Sequence, residues 1–392
     1  MNTYTGEIQA PRIRVIGTGG GGCNAVERMV TCGIEHVEFI AINTDAQSLS
    51  FSSVDTCLTI GNQTTRGLGS GGNPIIGQQA AEESQAQLSE LLKGTDLLFI
   101  AAGMGGGTGT GAAPIIANIA RELGILTVGV VTRPFTFEGR HRQRIAEQGI
   151  TQLRGVVDTL LVIPNDRLLS QAQRTTSLRD SFTIADSVLR QGVQGITDII
   201  LRPGIINVDF NDVKAIIAQA GPALMGVGVG VGPNSSKIAL NQALNSPLLE
   251  VGLAGARRVL VNITGNEKLS LLEVHEIMAE VQSVADEEAN IIFGAVVEAS
   301  FPADMIQVTI VAAGFEAPCT SSERISSPST ISRSPVVLNE RKPLPLRAYV
   351  PVVSEATRTT APTPRQGAIQ IPAVQSYEEL DMPPFLRKRV RA

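Results

Sequence analysis

The fold is decided by residues 12–33, which read RIRVIGTGGGGCNAVERMVTCG. An apolar run typical of a buried strand passes through a glycine-rich turn into a helical pattern. The turn has the spacing GxGxxG, with glycines at Gly17, Gly19 and Gly22. Free backbone amides at the start of a helix favour an anion, so the turn predicts a phosphate site. Taken alone, the motif also fits a Rossmann-type NAD-dependent oxidoreductase, because Asp45 stands about where that fold needs an acidic residue.

Outward from this stretch, strand-like and helical segments alternate along the chain. Predicted strands lie at residues 12–17, 37–43, 96–103, 126–132 and 156–164, with helices at 24–33, 80–92 and 113–124 between them. This βαβα order predicts an α/β fold built on a parallel, Rossmann-like nucleotide-binding sheet with helices on both faces. Residues 177–201 are long and periodic enough to form one central helix. A second, smaller α/β domain is predicted beyond residue 205, with strands at 223–232, 258–265, 290–297 and 305–314 and helices at 212–220 and 271–285.

Composition narrows the classes of protein that the chain could be. Of its 392 residues, 43% are hydrophobic, which excludes a bare coiled coil and a wholly disordered chain. Residues 1–318 hold 21 basic and 31 acidic side chains and residues 319–392 hold 11 and 6, so an acidic body precedes a basic tail. With only 4% aromatic residues, the chain is not expected to bind nucleic acid.

Cysteine and histidine usage points away from a metal centre. The four cysteines form no CxxC pair and the three histidines are scattered, so a reducing cytosol is expected and no protein metal cluster. No apolar run approaches the roughly 20 residues that a membrane helix needs. A membrane role is therefore expected only indirectly, through partners.

Composition also divides the chain. The last 74 residues hold 10 of the 21 prolines and one glycine, which is typical of a disordered segment. The closing residues mix apolar and charged side chains and predict a docking peptide that folds on binding, although a solubilising basic tail fits the composition equally well. The predicted parts are an N-terminal tail (1–11), a nucleotide-binding domain (12–176), the central helix (177–202), the smaller domain (203–316), a disordered linker (317–375) and the terminal peptide (376–392).

Two more glycine-rich loops resemble the first. Residues 103–111 read GMGGGTGTG after a strand, and residues 66–74 read RGLGSGGNP between the predicted second and third strands. Loops that leave the carboxyl ends of parallel strands share one rim, so the three could converge on one ligand. A triphosphate needs that many amide donors, whereas any single loop is as easily a flexible turn. The dipeptide GK occurs nowhere, so the chain is not a P-loop enzyme.

Phe182 and Asp186 are the residues that could choose a base. They stand four apart on the central helix, so a ring could lie against a purine while a carboxylate reaches its edge. Guanine offers two adjacent donors to a carboxylate and adenine does not, so the pair favours guanine. The alternative is a core phenylalanine beside a solvated aspartate.

Seven motifs carry a resemblance to the tubulin/FtsZ family of GTPases, and in particular to its bacterial cell-division members. They are GGGGCN (19–24), NTDAQ (43–47), GGGTGTG (105–111), RPFTFEGR (133–140), PNDRL (164–168), NVDFND (207–212) and DMPPFLRKR (381–389). The likeness covers about residues 11–316 and resumes in the terminal peptide. It implies GTP and GDP as ligands, with Mg²⁺ beside the phosphates.

The resemblance extends the expected nucleotide site. It adds Asn24 to the base edge, the Asn43–Asp45 loop beside the phosphates, and Glu138, Arg142 and Asn165 at the ribose and phosphate. From spacing alone, Glu138 and Arg142 form a surface ion pair and Asp45 caps a short helix. The full expected set is Gly19, Gly20, Gly21, Gly22, Cys23, Asn24, Asn43, Asp45, Gly71, Gly103, Gly105, Gly106, Gly107, Thr108, Gly109, Glu138, Arg142, Asn165, Phe182 and Asp186.

Asn207, Asp209 and Asp212 are the expected catalytic residues, although they follow the central helix about 22 Å from its base-reading end at ~1.5 Å per residue. Alone, their segment fits the N-terminal cap of the next helix equally well. The resemblance implies that they enter the nucleotide site of the next subunit in a head-to-tail homopolymer. It further implies a cytoplasmic filament at a mid-cell division ring, with adaptor and regulator proteins gripping residues Asp381–Arg389.

Overall fold

Ten strands form one sheet in the part of the chain that the structure describes. This computed structural model describes residues 10–168, 177–202, 204–246, 248–249, 252–298, 301–302 and 304–315. The strands are β1 (Ile13–Thr18), β2 (Glu38–Asn43), β3 (Thr56–Thr59), β4 (Leu97–Gly103), β5 (Leu126–Arg133), β6 (Thr159–Pro164), β7 (Gly221–Val231), β8 (Arg258–Gly265), β9 (Asn290–Val297) and β10 (Met305–Ala313).

Helices lie between most of the strands. They are α1 (Gly19–Thr31), α2 (Ala46–Ser50), α3 (Asn62–Thr65), α4 (Pro74–Glu83), α5 (Gln85–Leu92), α6 (Thr108–Glu122), α7 (Arg140–Arg154), α8 (Asn165–Leu168), α9 (Leu178–Leu201), α10 (Phe210–Ile217), α11 (Ser235–Leu244) and α12 (Leu271–Val284). A short 3-10 helix spans Thr136–Glu138. None of the helices in the described residues is long and apolar enough to cross a bilayer.

The strand order confirms the predicted Rossmann-like sheet. It runs β3-β2-β1-β4-β5-β6-β7-β10-β8-β9, and the first six strands pair in parallel. The order 3-2-1-4-5-6 is that of a doubly wound nucleotide-binding fold. Three residue pairs join β6 to β7 in parallel, and β10 then runs antiparallel to both β7 and β8. The loops after β1, β2 and β4 therefore leave the same rim of the sheet.

Alternating side chains of the central strands bury apolar groups on both faces of the sheet, as the helix-on-both-faces prediction requires. Val15 and Phe99 pack on the face covered by α1 and α9. Ile16 and Ile100 pack on the opposite face, beneath α4, α5 and α6. A third cluster lies between β8, β10 and the helices α11 and α12.

The central helix is continuous over 24 residues, which confirms the sequence interpretation. Ser177 caps it: the Asp180 amide donates to Ser177 Oγ at 3.1 Å, and the Ser177 amide donates to Asp180 Oδ2 at 3.3 Å. This reciprocal pair satisfies amides that the first turn would otherwise leave unpaired. The helix begins beside the parallel sheet and ends beside β9, so it spans both parts of the fold.

Several sequence predictions need correction. The helix expected over 80–92 is two helices that meet at Ser84. Strand β3 and helices α7 and α11 were not predicted, and the third glycine loop consequently precedes the fourth strand rather than the third. Helix α1 begins within the glycines, five residues before its predicted start. The predicted linker and terminal peptide lie outside the described residues, and the domain boundaries remain predictions.

Candidate functional site

The first glycine loop is pressed against the sheet. Helix α1 begins at Gly19, whose φ of 71° is a left-handed conformation that favours glycine. A Cβ atom on Gly22 would lie 2.3 Å from the carbonyl oxygen of Ala101 on the neighbouring strand. Only glycine therefore allows the start of α1 to come this close to β4, and the unpaired amides of its first turn lie at the rim.

The second glycine loop, after β4, touches the first. A Cβ atom on Gly19 would lie 2.7 Å from the backbone nitrogen of Gly109, at the start of α6. Within the loop, the Gly105 amide donates to Thr110 Oγ1 at 2.9 Å. A Cβ atom on Gly106 would meet nothing within 4 Å, so a ligand can approach this side of the loop.

Three buried hydroxyl groups tie the third loop to the second. Thr108 Oγ1 lies 2.6 Å from Thr44 Oγ1 and 3.0 Å from Ser70 Oγ. Gly107 packs against the Ser70 hydroxyl group, since a Cβ atom on Gly107 would lie 2.3 Å from Ser70 Oγ. The three loops therefore converge, as the shared rim predicted. Sequence reasoning missed Thr44 and Ser70, whose only signal was their place inside the quoted motif and loop.

Asn43, Asp45 and Gly71 lie at the edge of this junction. The Asn43 side chain is buried, and its Oδ1 accepts from the Thr44 amide at 2.9 Å. Asp45 caps α2 by accepting from the Gln47 amide at 3.0 Å, which is the role that spacing alone predicted. Gly71 has open space on its Cβ side.

Cys23 lies beneath the first loop. Its Sγ is 3.4 Å from the Gly17 carbonyl oxygen and 3.5 Å from that of Ile42. Burial raises the pKa of the thiol to about 12, so it stays protonated at neutral pH. The Cys23 side chain therefore packs in the core beneath the loop and offers a ligand no thiolate.

Phe182 and Asp186 face a cleft of about 670 Å³ between α1 and α9, which Asn24 also lines. The Phe182 ring is 41% exposed and meets Phe135 edge to face, with the ring centroids 5.5 Å apart. Asp186 is not solvated: its Oδ2 lies 3.4 Å from Arg28 Nε, and its side chain is 17% exposed. Phe182 is therefore not a fully buried core residue and Asp186 is not a solvated carboxylate, which is the alternative that the sequence left open.

Burial sets the ionisation of Asp186. Removal from water raises the pKa of its carboxyl to about 6, although the nearby Arg28 guanidinium acts to lower it. Arg28 also donates to Thr183 Oγ1 at 2.6 Å, which fixes the guanidinium in the cleft. Sequence reasoning missed Arg28, because nothing in its spacing links it to the distant central helix.

Glu138 and Arg142 form an ion pair next to the second loop. Arg142 Nη1 lies 2.6 Å from Glu138 Oε2, while Glu138 Oε1 accepts from the Phe135 amide at 2.9 Å. A Cβ atom on Gly105 would lie 2.9 Å from the Arg142 carbonyl oxygen. The pair predicted from spacing is thus present, and it borders the loop that the resemblance associates with phosphate.

Asn165 begins α8 at the end of β6. It is buried, and its Oδ1 finds no hydrogen-bond partner among the described residues. A buried amide oxygen without a partner costs about 1–3 kcal/mol, so it favours any ligand or water that supplies a donor.

The acidic segment does not join the loops. Asn207 Oδ1 accepts from the Gly204 amide at 2.7 Å, and Asp209 Oδ1 accepts from the Asp212 amide at 2.8 Å as the cap of α10. The cap role that sequence allowed is therefore present. Leu201 lies fifteen helical steps beyond Asp186 on α9, a span of ~22 Å at 1.5 Å per residue.

The donor set at the rim is that of an anion site. It consists of backbone amides and hydroxyl groups. Within the described ranges, no group of three or more His, Cys, Asp or Glu side chains is placed to hold a metal ion.

Two family models match the chain. The model for the GTPase domain of the tubulin/FtsZ family matches residues 12–173, and the model for the C-terminal domain of the FtsZ family matches residues 221–316. A solved structure of an empty FtsZ dimer from M. jannaschii is 42% identical, with a TM-score of 0.75, and the match covers 78% of this chain and 89% of that one. The chain belongs to the tubulin/FtsZ family.

More distant structures share the fold of this FtsZ-family protein. CetZ1 from Haloferax volcanii, a GDP-bound monomer, is 20% identical with a TM-score of 0.68 over 77% of this chain and 94% of that one. CetZ2 from the same organism, a GTPγS-bound protofilament, is 19% identical with a TM-score of 0.62 over 77% and 92%.

Family membership gives the rim its general chemistry. The protein carries a GTPase domain of the cytoskeletal tubulin/FtsZ type, which binds GTP and GDP. The NAD-dependent oxidoreductase that the first loop alone allowed is thereby set aside.

Proposed function

We propose that this protein binds GTP across the three glycine loops and hydrolyses it only when a second copy completes the site. The loops take the phosphates through their amides, and Thr108 adds a hydroxyl. Asp186 and Asn24 read the guanine edge while Phe182 lies against the ring. Glu138, Arg142 and Asn165 serve the ribose and phosphate region.

One observation carries the shared-site proposal. Asn207, Asp209 and Asp212 lie beyond the far end of α9, and they are tied there by the capping contacts of α10. In-line attack on the γ-phosphate needs a positioned water. The two carboxylates described near the loops are already engaged, Asp45 as the cap of α2 and Glu138 with Arg142 and the Phe135 amide. We infer that Asp209 and Asp212 of one copy polarise that water in the next copy, with Asn207 orienting it.

Such a contact joins two different surfaces and does not close on itself, so it extends into a head-to-tail filament. The titles of the related structures name a dimer for FtsZ and a protofilament for CetZ2, which supports self-association here. We propose that the filament forms a cytoplasmic cell-division ring at mid-cell, and that adaptor and regulator proteins attach it to the membrane through Asp381–Arg389.

Magnesium fits this site as an ion held by the nucleotide. The described residues bring no carboxylate cluster to the rim, and Mg²⁺ is commonly held by phosphate oxygens and waters. Among the proposed acidic groups, Asp45 lies beside the third loop, since a Cβ atom on Gly69 would lie 3.8 Å from the Asp45 Cβ. The ion would neutralise phosphate charge, while the protein's own groups orient the nucleotide.

Complementation between two variants tests the shared site. Asp212→Ala should keep GTP affinity and lose at least about 100-fold in turnover, because it removes an acid that acts on the water. Thr108→Ala should weaken the contact to the nucleotide phosphates, which belongs to the other half of the shared site. Mixing the two inactive proteins should restore part of the GTPase rate, since some contacts then pair two intact halves.

The control is each variant mixed with itself at the same total concentration, which should stay inactive. An Asp212→Ala protein that hydrolyses GTP at the parent rate, or a mixture no faster than its parts, contradicts the proposal.

A further inference from the structure

Arg202 sits between two carboxylates at the end of α9. Its Nε lies 3.1 Å from Asp198 Oδ1, one turn back on the same helix, and its Nη1 lies 2.9 Å from Glu298 Oε2, just after β9. The side chains of Arg202, Asp198 and Glu298 are 30%, 13% and 37% exposed, so water screens the contact to Asp198 less than the contact to Glu298. The planar guanidinium can donate in both directions at once, and it joins the helix end to the edge strand.

Beyond Arg202, the backbone is fastened to the same edge strand. The Ile205 amide donates to the Ala295 carbonyl oxygen at 2.9 Å, and the Ala295 amide donates to that of Ile206 at 3.2 Å. A Cβ atom on Gly204 would lie 2.2 Å from the Ala295 carbonyl oxygen. The segment 204–206 therefore runs flat against β9.

The acidic segment follows without a break. Asn207 Oδ1 accepts a hydrogen bond from the Gly204 amide. The start of the segment 204–206 is therefore bound directly to the first of the three proposed catalytic residues. Asp209 then caps α10. Arg202 and Asn207 thus lie five positions apart, on either side of the segment 204–206 that is hydrogen-bonded to β9.

We propose that Arg202 is a positioning residue for GTP hydrolysis: by bridging Asp198 and Glu298 it fixes the backbone that presents Asn207, Asp209 and Asp212. This inference rests on the shared site proposed above. Arg202 acts through those residues and touches no nucleotide. A misplacement of about 1 Å in a reacting group can cost on the order of 100-fold in rate, so a loosened clamp should be visible in turnover.

The test compares Arg202→Met, Arg202→Lys and Glu298→Gln with Arg121→Met as the matched control. Arg121 also donates hydrogen bonds, to Gly155 O and Asn118 Oδ1, but it lies at the end of α6 away from the loops. Turnover is measured per sedimented subunit, so that a change in assembly does not count as a change in catalysis. GTP affinity is measured separately on dilute protein.

Arg202→Met should lower turnover per assembled subunit about tenfold and leave GTP affinity within about twofold. Arg202→Lys should recover part of the rate, since a lysine keeps the charge but not the fork. Glu298→Gln removes one charge with little change in shape and should give a smaller loss, which keeps the test available if Arg202→Met folds poorly. Arg121→Met should match the parent.

Mixing identifies which half of the contact is damaged. Arg202→Met mixed with Thr108→Ala should regain activity, and Arg202→Met mixed with Asp212→Ala should not, because those two defects lie in the same half. The reverse pattern, or a loss of GTP affinity equal to the loss of turnover, overturns the positioning role. If Asp212→Ala and Thr108→Ala fail to complement each other, the shared site itself has failed.

Discussion

Asp186 shows how one side chain is prepared for two partners. In the structure it pairs with Arg28, and burial holds the pKa of its carboxyl at about 6. In the proposed complex it accepts two donors from guanine. Both partners favour the ionised form, and removal from water disfavours it. Burial therefore brings the pKa of the group proposed to choose the base to about 6 in the free protein.

This balance predicts that GTP affinity falls as pH falls through about 6. Guanine donors stabilise the carboxylate, so the pKa of Asp186 should be lower in the complex than in the free protein, and binding below pH 6 should release a proton. Affinity should drop by up to about tenfold per pH unit below that value. Titration with a fluorescent GTP analogue at pH 7.5, 6.5 and 5.5 measures this pH dependence of the affinity.

Asp186→Asn provides the control. Its binding should be weaker, and it should keep only the pH dependence of the nucleotide's own phosphates, so the difference between the two slopes reports the carboxylate. Parallel slopes for parent and variant would remove Asp186 from the base edge.

At the residue scale, sequence predicted the positions that local spacing defines. The caps by Asp45 and Asp209 and the Glu138–Arg142 pair are all present. The contact between Arg28 and Asp186 was not predicted, because it joins residues 158 positions apart and no local pattern encodes such a contact.

Among the elements, β7 and α11 show what a glycine repeat does. Cβ atoms on Gly226, Gly228 and Gly230 would lie 2.2, 1.9 and 1.9 Å from carbonyl oxygens of the α11 segment. The alternating glycine and valine pattern predicted the strand correctly. It carried no sign of the helix packed on it, and α11 was missed.

Gly228→Ala should therefore destabilise the protein by about 1–3 kcal/mol, since a methyl group cannot share space with the Ala239 carbonyl oxygen. The midpoint of urea unfolding measures the change. Gly155→Ala is the matched control: Gly155 has a helical φ of −75°, and its Cβ would lie 3.5 Å from the nearest atom. Equal midpoints for the two variants would show that β7 and α11 can separate without cost.

Helix α7 was missed for a different reason. Most of its 15 residues are polar, and its buried face includes Gly149, whose Cβ would lie 2.3 Å from Thr110 Cγ2 of α6. Helix packing on a small residue leaves a weak apolar signal in the sequence. Long periodic segments such as α9 were predictable because their apolar stripe is complete.

For the whole molecule, the sheet explains why site prediction succeeded in part. Parallel strands force the glycine loops onto one rim, so topology alone brought them together. The placement of the acidic segment depends on the full length of α9 and on the contacts of Arg202 and the segment 204–206 with the β9 edge. These are properties of the folded chain and not of a local sequence pattern. Strand β9 was predicted, but its pairing with the segment 204–206 was not.

The whole-molecule prediction concerns concentration and the tail. GTPase rate per chain should stay low until a threshold protein concentration and rise above it, because in the proposed mechanism only assembled copies have a complete site. Truncation after Gln375 should keep that threshold while releasing filaments from adaptor-coated membranes. Phosphate release across a dilution series measures the concentration threshold. Co-sedimentation with adaptor-coated vesicles measures the attachment of filaments to the membrane. A constant rate per chain at all dilutions would oppose the shared site, and membrane retention without the tail would oppose its docking role.

In the proposed filament, the acids at one end of each copy and the glycine loops at the other would make the two tips unlike. The terminal copy at one tip would display its acids to solvent, with no nucleotide before them. The terminal copy at the opposite tip would hold a GTP that no neighbour can cut. That last nucleotide should outlive all those in the interior, so the polymer would carry an intact cap at one extremity and spent nucleotide along its length.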